Sequence, residues 1–372
     1  MTAASYNLAR SLVERGHDIT VYTTDVNDAH TRIPDTDGVK DMDGVRVCYF
    51  RNISNLLAFK RIYLPSGLIT AAKNELSNFD IIHVNEYRSF QSIIIHHYAK
   101  KYGIPYILQA HGSVGTYFQK GNFKRFFDRI WGHGILEDAS RLIAVTPVEA
   151  EQYRSLGVTE DSIEIVPNGI NLSEFENLPP EGDFRRKYGF DQDLKIILYL
   201  ARINMIKGPD LLVRSFAKIS GGMVGVKLVI TGPDDGYLPS LIKLVKELGI
   251  EEKVLFTGPL YGRDKLEAYT DADVYVLPSR YEIFGISILE SFACGTPVIV
   301  TDRCGLASMI NNQAGIVASF DKDKLSDAIF YLLSNDKKRQ EFGGNGRLMV
   351  REKFNWPKVT EQLEGIYLDC LK

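Results

Sequence analysis

The sequence is short of several things, and each shortage excludes a class of protein. Its 372 residues hold four cysteines, Cys48, Cys294, Cys304 and Cys370. None forms a Cys-x-x-Cys pair, and four are too few for a disulfide framework in a chain this long. A reducing, cytosolic compartment fits that usage. No apolar run exceeds strand length, so none spans a bilayer. The opening residues show neither the basic nor the apolar region of a secretory leader. Basic excess is missing too: 44 Lys and Arg face 47 Asp and Glu, a formal charge of −3. That balance argues against nucleic acid as a partner. All seven histidines fall between His17 and His133, and no His or Cys spacing suits zinc. No Gly-x-Gly-x-x-Gly follows a strand-like run, which disfavours a Rossmann dehydrogenase. What remains, 45% hydrophobic and 24% charged residues, is the balance of a globular protein, long enough for two domains.

The pattern along the chain alternates. Short β-branched runs at 18–24, 45–50, 81–85, 106–110, 142–146 and 163–166 read as strands. Helical spacing fills 65–77, 90–101, 123–139 and 147–155. A first helix carries Leu8, Leu12 and Val13 and closes at Gly16. Residues 172–193, with Pro179-Pro180, read as a linker and lead-in. A second series follows, with strands at 195–201, 226–231, 253–257, 274–277 and 298–301 and helices between them. A last helix carries Val359, Leu363, Ile366 and Tyr367 on one stripe. This predicts two doubly wound α/β domains, residues 1–172 and 173–354, with helix 355–372 beyond them. Ligands of such sheets bind past the carboxyl ends of the strands, so the two domains are expected to face a common cleft.

Four stretches carry chemistry. Glu282 and Glu290 flank a turn at Gly285, one in a loop after a strand and the other a turn into the next helix. A glycine allows close backbone approach, and a helix N-terminus favours phosphate; the plain alternative is two solvated glutamates, one favourable to the helix dipole. Arg202 and Lys207 stand between a strand end and a helix that begins with Pro209, which suits a diphosphate. His111, with Gly112, follows a strand directly and suits hydrogen bonding to a hydroxyl or proton transfer; a structural loop histidine is equally consistent. Pro167-Asn168-Gly169 reads as a turn. Asp-x-Asp pairs at 35/37, 41/43, 191/193, 271/273 and 321/323 could hold Mg²⁺, but five matches show how unspecific the pattern is, and we read all as polar turns. Residues 120–131, basic and aromatic, could rest on an anionic membrane surface or pack their aromatics inward.

Together these residues resemble retaining glycosyltransferases of family four, which have the GT-B fold of two Rossmann-like domains. The resemblance rests on Ala201-Arg202, Lys207-Gly208, Gly232-Pro233 and Glu282 to Val298 in the second half. In the first half it rests on Arg15 to Thr23, His111-Gly112 and Pro167 to Asn171. It implies transfer of a hexosyl group from a UDP-, GDP- or other nucleotide-diphosphate sugar to a carbohydrate, lipid-linked or small-molecule acceptor, with no metal. It implies cell-envelope polysaccharide or glycoconjugate synthesis, in the cytoplasm and at the inner membrane face. By that resemblance Arg202 and Lys207 bind the diphosphate, Glu282 the donor sugar and Glu290 the ribose. Gly232 and the backbone of Phe284, Gly285, Ile286 and Ser287 reach sugar and phosphate, and His111 bonds the sugar and helps its departure. The last helix braces the first domain. Two departures stand out. A Pro-Glu pair usual in the family is replaced by the stretch Arg303 to Met309. The strand and Gly-rich loop that members place before the first helix are not seen ahead of Leu8. Two other readings follow: a nucleotide-sugar-binding protein without turnover, and a sugar-nucleotide epimerase of the same fold.

Overall fold

The computed structural model describes residues 3–28, 30–36, 38–59, 62–115 and 121–372. The chain divides into two compact units, one of residues 1–169 with 356–372 and the other of residues 170–355.

Among the described residues the first unit has seven strands: β1 (Thr20–Thr24), β2 (Val39–Met42), β3 (Val45–Phe50), β4 (Ile82–Asn85), β5 (Tyr106–Gln109), β6 (Arg141–Ala144) and β7 (Ile163–Ile165). They form two sheets rather than the single doubly wound sheet expected. One has the order β1-β3-β2, with β2 antiparallel; the other, β4-β5-β6-β7, is parallel throughout. Among the described residues no strand joins β1 to β4, so each pairs on one side only. Burial follows the pairing. All four residues of β5 are buried, while every residue of β1 is only half-buried, as expected when a parallel sheet is covered on both faces only at its centre.

Helix Ala3–Glu14 and helix Trp356–Cys370 share one core in this unit. Leu8, Leu12, Trp356, Val359 and Leu363 pack with Ile107 and Ile143 of the sheet and with Val166 just past β7. Arg15 and His17 both reach Glu364. Each such side chain, fully buried, contributes about 1.5–3 kcal/mol, so the last helix is anchored to this unit by its apolar stripe. Residues 167–169, expected to turn, form no regular element and lead to a bridge between Ile170 and Asn355.

The second unit is one parallel sheet of β8 (Lys195–Leu200), β9 (Val226–Thr231), β10 (Val254–Gly258), β11 (Val274–Leu277), β12 (Val298–Thr301) and β13 (Gly315–Ala318), in the order β10-β9-β8-β11-β12-β13. The strand order reverses between β8 and β11, which makes their carboxyl ends the switch point where ligands of such sheets bind. Residues 172–193 are not a loose linker. They hold helix Asp183–Tyr188, and Phe175 and Phe184 are buried in the core of this unit. Asp271 fixes them by accepting from the Gly182 and Arg185 amides. Buried carboxylates require such partners, and a composition rich in Gly, Pro and Glu hid them.

No helix among the described residues is long and apolar enough to cross a membrane.

Candidate functional site

At the end of β8 the chain passes Ala201, Arg202 and Ile203 to Asn204, which caps a 3₁₀ turn over Met205–Lys207 by accepting from the Lys207 amide at 3.0 Å. Gly208 follows with φ 68° and Pro209 opens the helix Pro209–Ser220. Glycine at 208, and at 232 after β9, is a steric necessity. A Cβ on Gly208 would stand 2.0 Å from the Pro278 carbonyl oxygen, and one on Gly232 would stand 1.8 Å from that of Ala201. These glycines let three strand ends, those of β8, β9 and β11, come together without side chains between them.

Lys207 Nζ pairs with a Glu282 carboxylate oxygen, and both side chains are largely buried. Glu282 is strapped from both sides: its amide donates to the Arg303 carbonyl at 3.1 Å and its carbonyl accepts from the Gly305 amide at 2.7 Å. The stretch in which the family's Pro-Glu pair is replaced thus positions Glu282 through its backbone. Arg202 is half-exposed and meets Asp235 at 3.1 Å, as Asn204 does at 2.8 Å. Burial, reinforced by Glu282, pushes the neighbouring Cys304 thiol up to about 12, so it carries no thiolate at neutral pH.

Helix Ile286–Cys294 begins at Gly285 with no side-chain cap, which leaves its first N–H groups without intrahelical acceptors. Gly285 has an ordinary φ of −86°, so the backbone freedom expected of it is not what this position uses. Its missing side chain makes room for Ile288 and Leu277, which a Cβ would approach to 3.0 and 3.2 Å. Ile286 and Phe284 are half-buried and pack against the core, Phe284 edge-on to Phe354. Ser287 Oγ lies 2.7 Å from the Tyr275 hydroxyl. Glu290 accepts from Lys265 at 2.7 Å and from Tyr269 at 3.1 Å.

In the first unit His111 follows β5 with φ 50°, a conformation uncommon for a residue with a side chain. Its Nε2 is 2.8 Å from Asn85 Oδ1. It borders a small cavity of its own unit, lined also by Asn85, Gln109, Asn168 and Trp356. Burial, with His83 nearby, lowers its pKa to about 4. His111 is therefore neutral at pH 7, a hydrogen-bonding imidazole rather than a cation.

The structure thus gathers Arg202, Lys207, Gly232, Glu282, Phe284–Ser287 and Glu290 at the strand ends of the second unit and places His111 in the first. Sequence reading missed Arg280. Its guanidinium binds Asp210 through two bonds of 2.8 Å and the Met205 carbonyl at 2.7 Å, pinning the turn that carries Lys207. A lone Arg after a strand end, 70 residues from its partner, gives no sequence signal. Of the Asp-x-Asp pairs, Asp37 lies outside the described residues, and Asp41 and Asp271 lie in a strand and a helix rather than in polar turns. Asp273 pairs with Arg185, Lys195 and Arg339, and Asp321 caps a helix. Lys120 lies outside the described residues; of the remainder, Phe127 is buried while Phe126, Ile130 and Trp131 are exposed.

Residues 181–349 match the family model described as glycosyl transferases group 1, and residues 2–174 match glycosyltransferase family 4. An uncharacterized glycosyltransferase of Methanocaldococcus jannaschii is 29% identical, over 97% of this chain and 92% of its own. The D-inositol 3-phosphate glycosyltransferase of Xylanimonas cellulosilytica is 26% identical, over 98% and 90%. Among solved structures, sucrose-phosphate synthase from Thermosynechococcus elongatus superposes with a TM-score of 0.80 at 24% identity, over 98% of this chain and 92% of that one. HepE of Anabaena in complex with UDP and glucose gives 0.79 at 16%, over 99% and 96%. At these identities the structural likeness is one of fold, the GT-B fold.

Proposed function

Because the chain belongs to the group 1 glycosyltransferases of family-four type, we propose that it is a retaining hexosyltransferase using a nucleotide-diphosphate sugar, with a glycan, glycolipid or small-molecule acceptor in cell-envelope polysaccharide or glycoconjugate synthesis. The observation that carries this reading is the Lys207–Glu282 pair at the β8/β11 switch point, with Arg202 and the uncapped Ile286–Cys294 helix in the same unit. Negative charge grows on the diphosphate as the bond to the sugar's anomeric carbon breaks. Fixed cations and helix N–H groups stabilise it, so the chemistry needs no metal. The uncapped helix start suits a phosphate, and Glu290, held by Lys265 and Tyr269, presents a fixed acceptor to ribose hydroxyls.

Lys207 rests on Glu282. An incoming diphosphate competes for Lys207, and its capture would free Glu282 to accept from a sugar hydroxyl. His111, neutral, serves as a hydrogen-bonding group to the sugar. Retention follows from departure and attack on one face of the sugar, with Glu282, once released, accepting from a sugar hydroxyl rather than bonding to the anomeric carbon. The distinction from binding without turnover is experimental. Purified protein is assayed for transfer and donor hydrolysis with UDP- and GDP-sugars. Glu282→Ala and Lys207→Ala are each expected to lower turnover at least 100-fold while leaving the circular dichroism spectrum that of the folded protein, with a lowered Tm because each strands a partner of a largely buried pair. Wild-type-like turnover in either variant refutes its role; binding with neither transfer nor hydrolysis refutes the enzyme.

The same reading places the protein in the cytoplasm at the inner membrane face, through residues 120–131. Exposed Phe126, Ile130 and Trp131 support it, since aromatic and basic residues together suit an anionic interface. Cosedimentation with phosphatidylglycerol vesicles should fall several-fold in a Phe126→Ser/Ile130→Ser variant. Equal sedimentation of the two proteins refutes this surface.

A further inference from the structure

The geometry points to Glu149 as the residue that positions His111, an assignment that rests on the reading of His111 given above. Glu149 is wholly buried, and nothing in the donor chemistry uses it. It occupies the third position of helix Pro147–Ser155, after the N-cap Thr146, whose hydroxyl accepts from the Glu149 amide at 3.2 Å. A glutamate in that place ordinarily folds back to the N-cap amide. Here it does something else. One carboxylate oxygen accepts from the Val145 amide at 2.8 Å, and the other accepts from the Gly112 amide across the sheet.

Gly112 is the residue after His111, and the two have φ of 86° and 50°. Left-handed backbone at a residue with a side chain persists only where its surroundings over-determine it. Those surroundings are visible. Tyr153, from the same helix as Glu149, offers its hydroxyl to the Ala110 amide at 3.1 Å. Arg88 donates to the Val114 carbonyl at 2.9 Å while its guanidinium is paired with buried Asp128. Residues 110 and 114 are therefore held at the two ends of the loop. Between them, Glu149 takes the amide that fixes the direction of the peptide joining His111 to Gly112. The Ser113 amide closes the turn on the Ala110 carbonyl at 3.0 Å but does not touch the 111–112 peptide; without the Glu149 acceptor that peptide loses its partner, the backbone at residue 111 can relax to negative φ, and the imidazole leaves Asn85. Two amides in a buried site need two acceptor oxygens, which a carboxylate supplies and a carboxamide does not.

The test is a double-mutant cycle read together with NMR on the full chain. Glu149→Gln keeps an acceptor for one amide and turns an NH₂ group toward the other. It should lower kcat at least ten-fold with donor KM within two-fold of wild type. The loss should vanish when His111→Ala is already present. The His111 imidazole resonances, assigned with His111→Gln, should shift in Glu149→Gln and stay in place in Glu151→Ala, an exposed change on the same helix. The same loss of kcat in both backgrounds, or His111 resonances unmoved by Glu149→Gln, overturns the assignment. Full turnover in His111→Ala would instead refute the role of His111, and the resonances would still decide whether Glu149 holds it. Should Glu149→Gln fail to fold, Glu149→Asp, read by the same resonances, serves in its place: a shortened carboxylate that cannot span both amides should move them, and unmoved resonances overturn the assignment.

Discussion

Single residues set the chemistry of both units, and their placement is often a matter of what a side chain would collide with. Gly208 and Gly232 are fixed by carbonyl oxygens that leave no room for a methyl group, which a sequence shows only as two glycines near strand ends. His111 and Arg202 were legible because each follows a strand directly. The partners that hold them, Asn85, Asp235 and Glu149, lie far away in sequence and carry no motif. Burial also sets charge. His83, between Tyr367 and Gln109 at 2.6 and 3.0 Å, is lowered to about 4 by desolvation, and His111 likewise. The unfolded chain binds these protons near pH 6.5 while the folded chain refuses them until about pH 4. Stability is therefore full above pH 6.5 and falls as pH drops from 6.5 toward 4. The loss through His83 is about 3 kcal/mol at the lower end, from its shift of a few pH units. Urea titrations at pH 7.5 and 5.0 measure it. A His83→Gln variant should show a shallower decline than wild type, and an equal decline would remove His83 from the account.

Elements were legible where periodicity is strong and hidden where tertiary contacts make them. Helices Pro209–Ser220, Ile286–Cys294 and Trp356–Cys370 show in the sequence as apolar stripes, the first two closed by Gly221 and Gly295. The antiparallel strand β2, the edge strand β13 and helix Asp183–Tyr188 do not, because they are short and take their stability from neighbours. The turn Met205–Lys207 is the case that matters for function. Nothing in its own residues makes it rigid. Its order comes from Asn204 within and from Arg280, whose amide also donates to the Ile206 carbonyl at 2.7 Å. Removing the Arg280 side chain leaves Lys207 in place as a residue but frees the turn that aims it. Arg280→Ala should raise donor KM about ten-fold, the worth of one charge-assisted contact, with a Tm decrease of a few degrees. An unchanged donor KM would show that the turn is rigid without it.

At the scale of the molecule, the two α/β units, the GT-B fold and the family were all readable from alternation and motifs. What the sequence concealed is how the first unit divides its strands between two sheets. That division depends on which edges find partners, and periodicity does not report pairing. The division of labour between units is the central claim: the second unit binds the nucleoside diphosphate and Lys207 meets its charge. Isothermal titration calorimetry of UDP and GDP against the full chain and against Lys207→Ala tests it most directly. At least one of the two is expected to bind wild type at a single site, and Lys207→Ala to weaken it ten-fold or more, as for loss of a buried cation on a phosphate. Binding of neither nucleotide to a folded wild-type protein, or equal affinity in the variant, would contradict it.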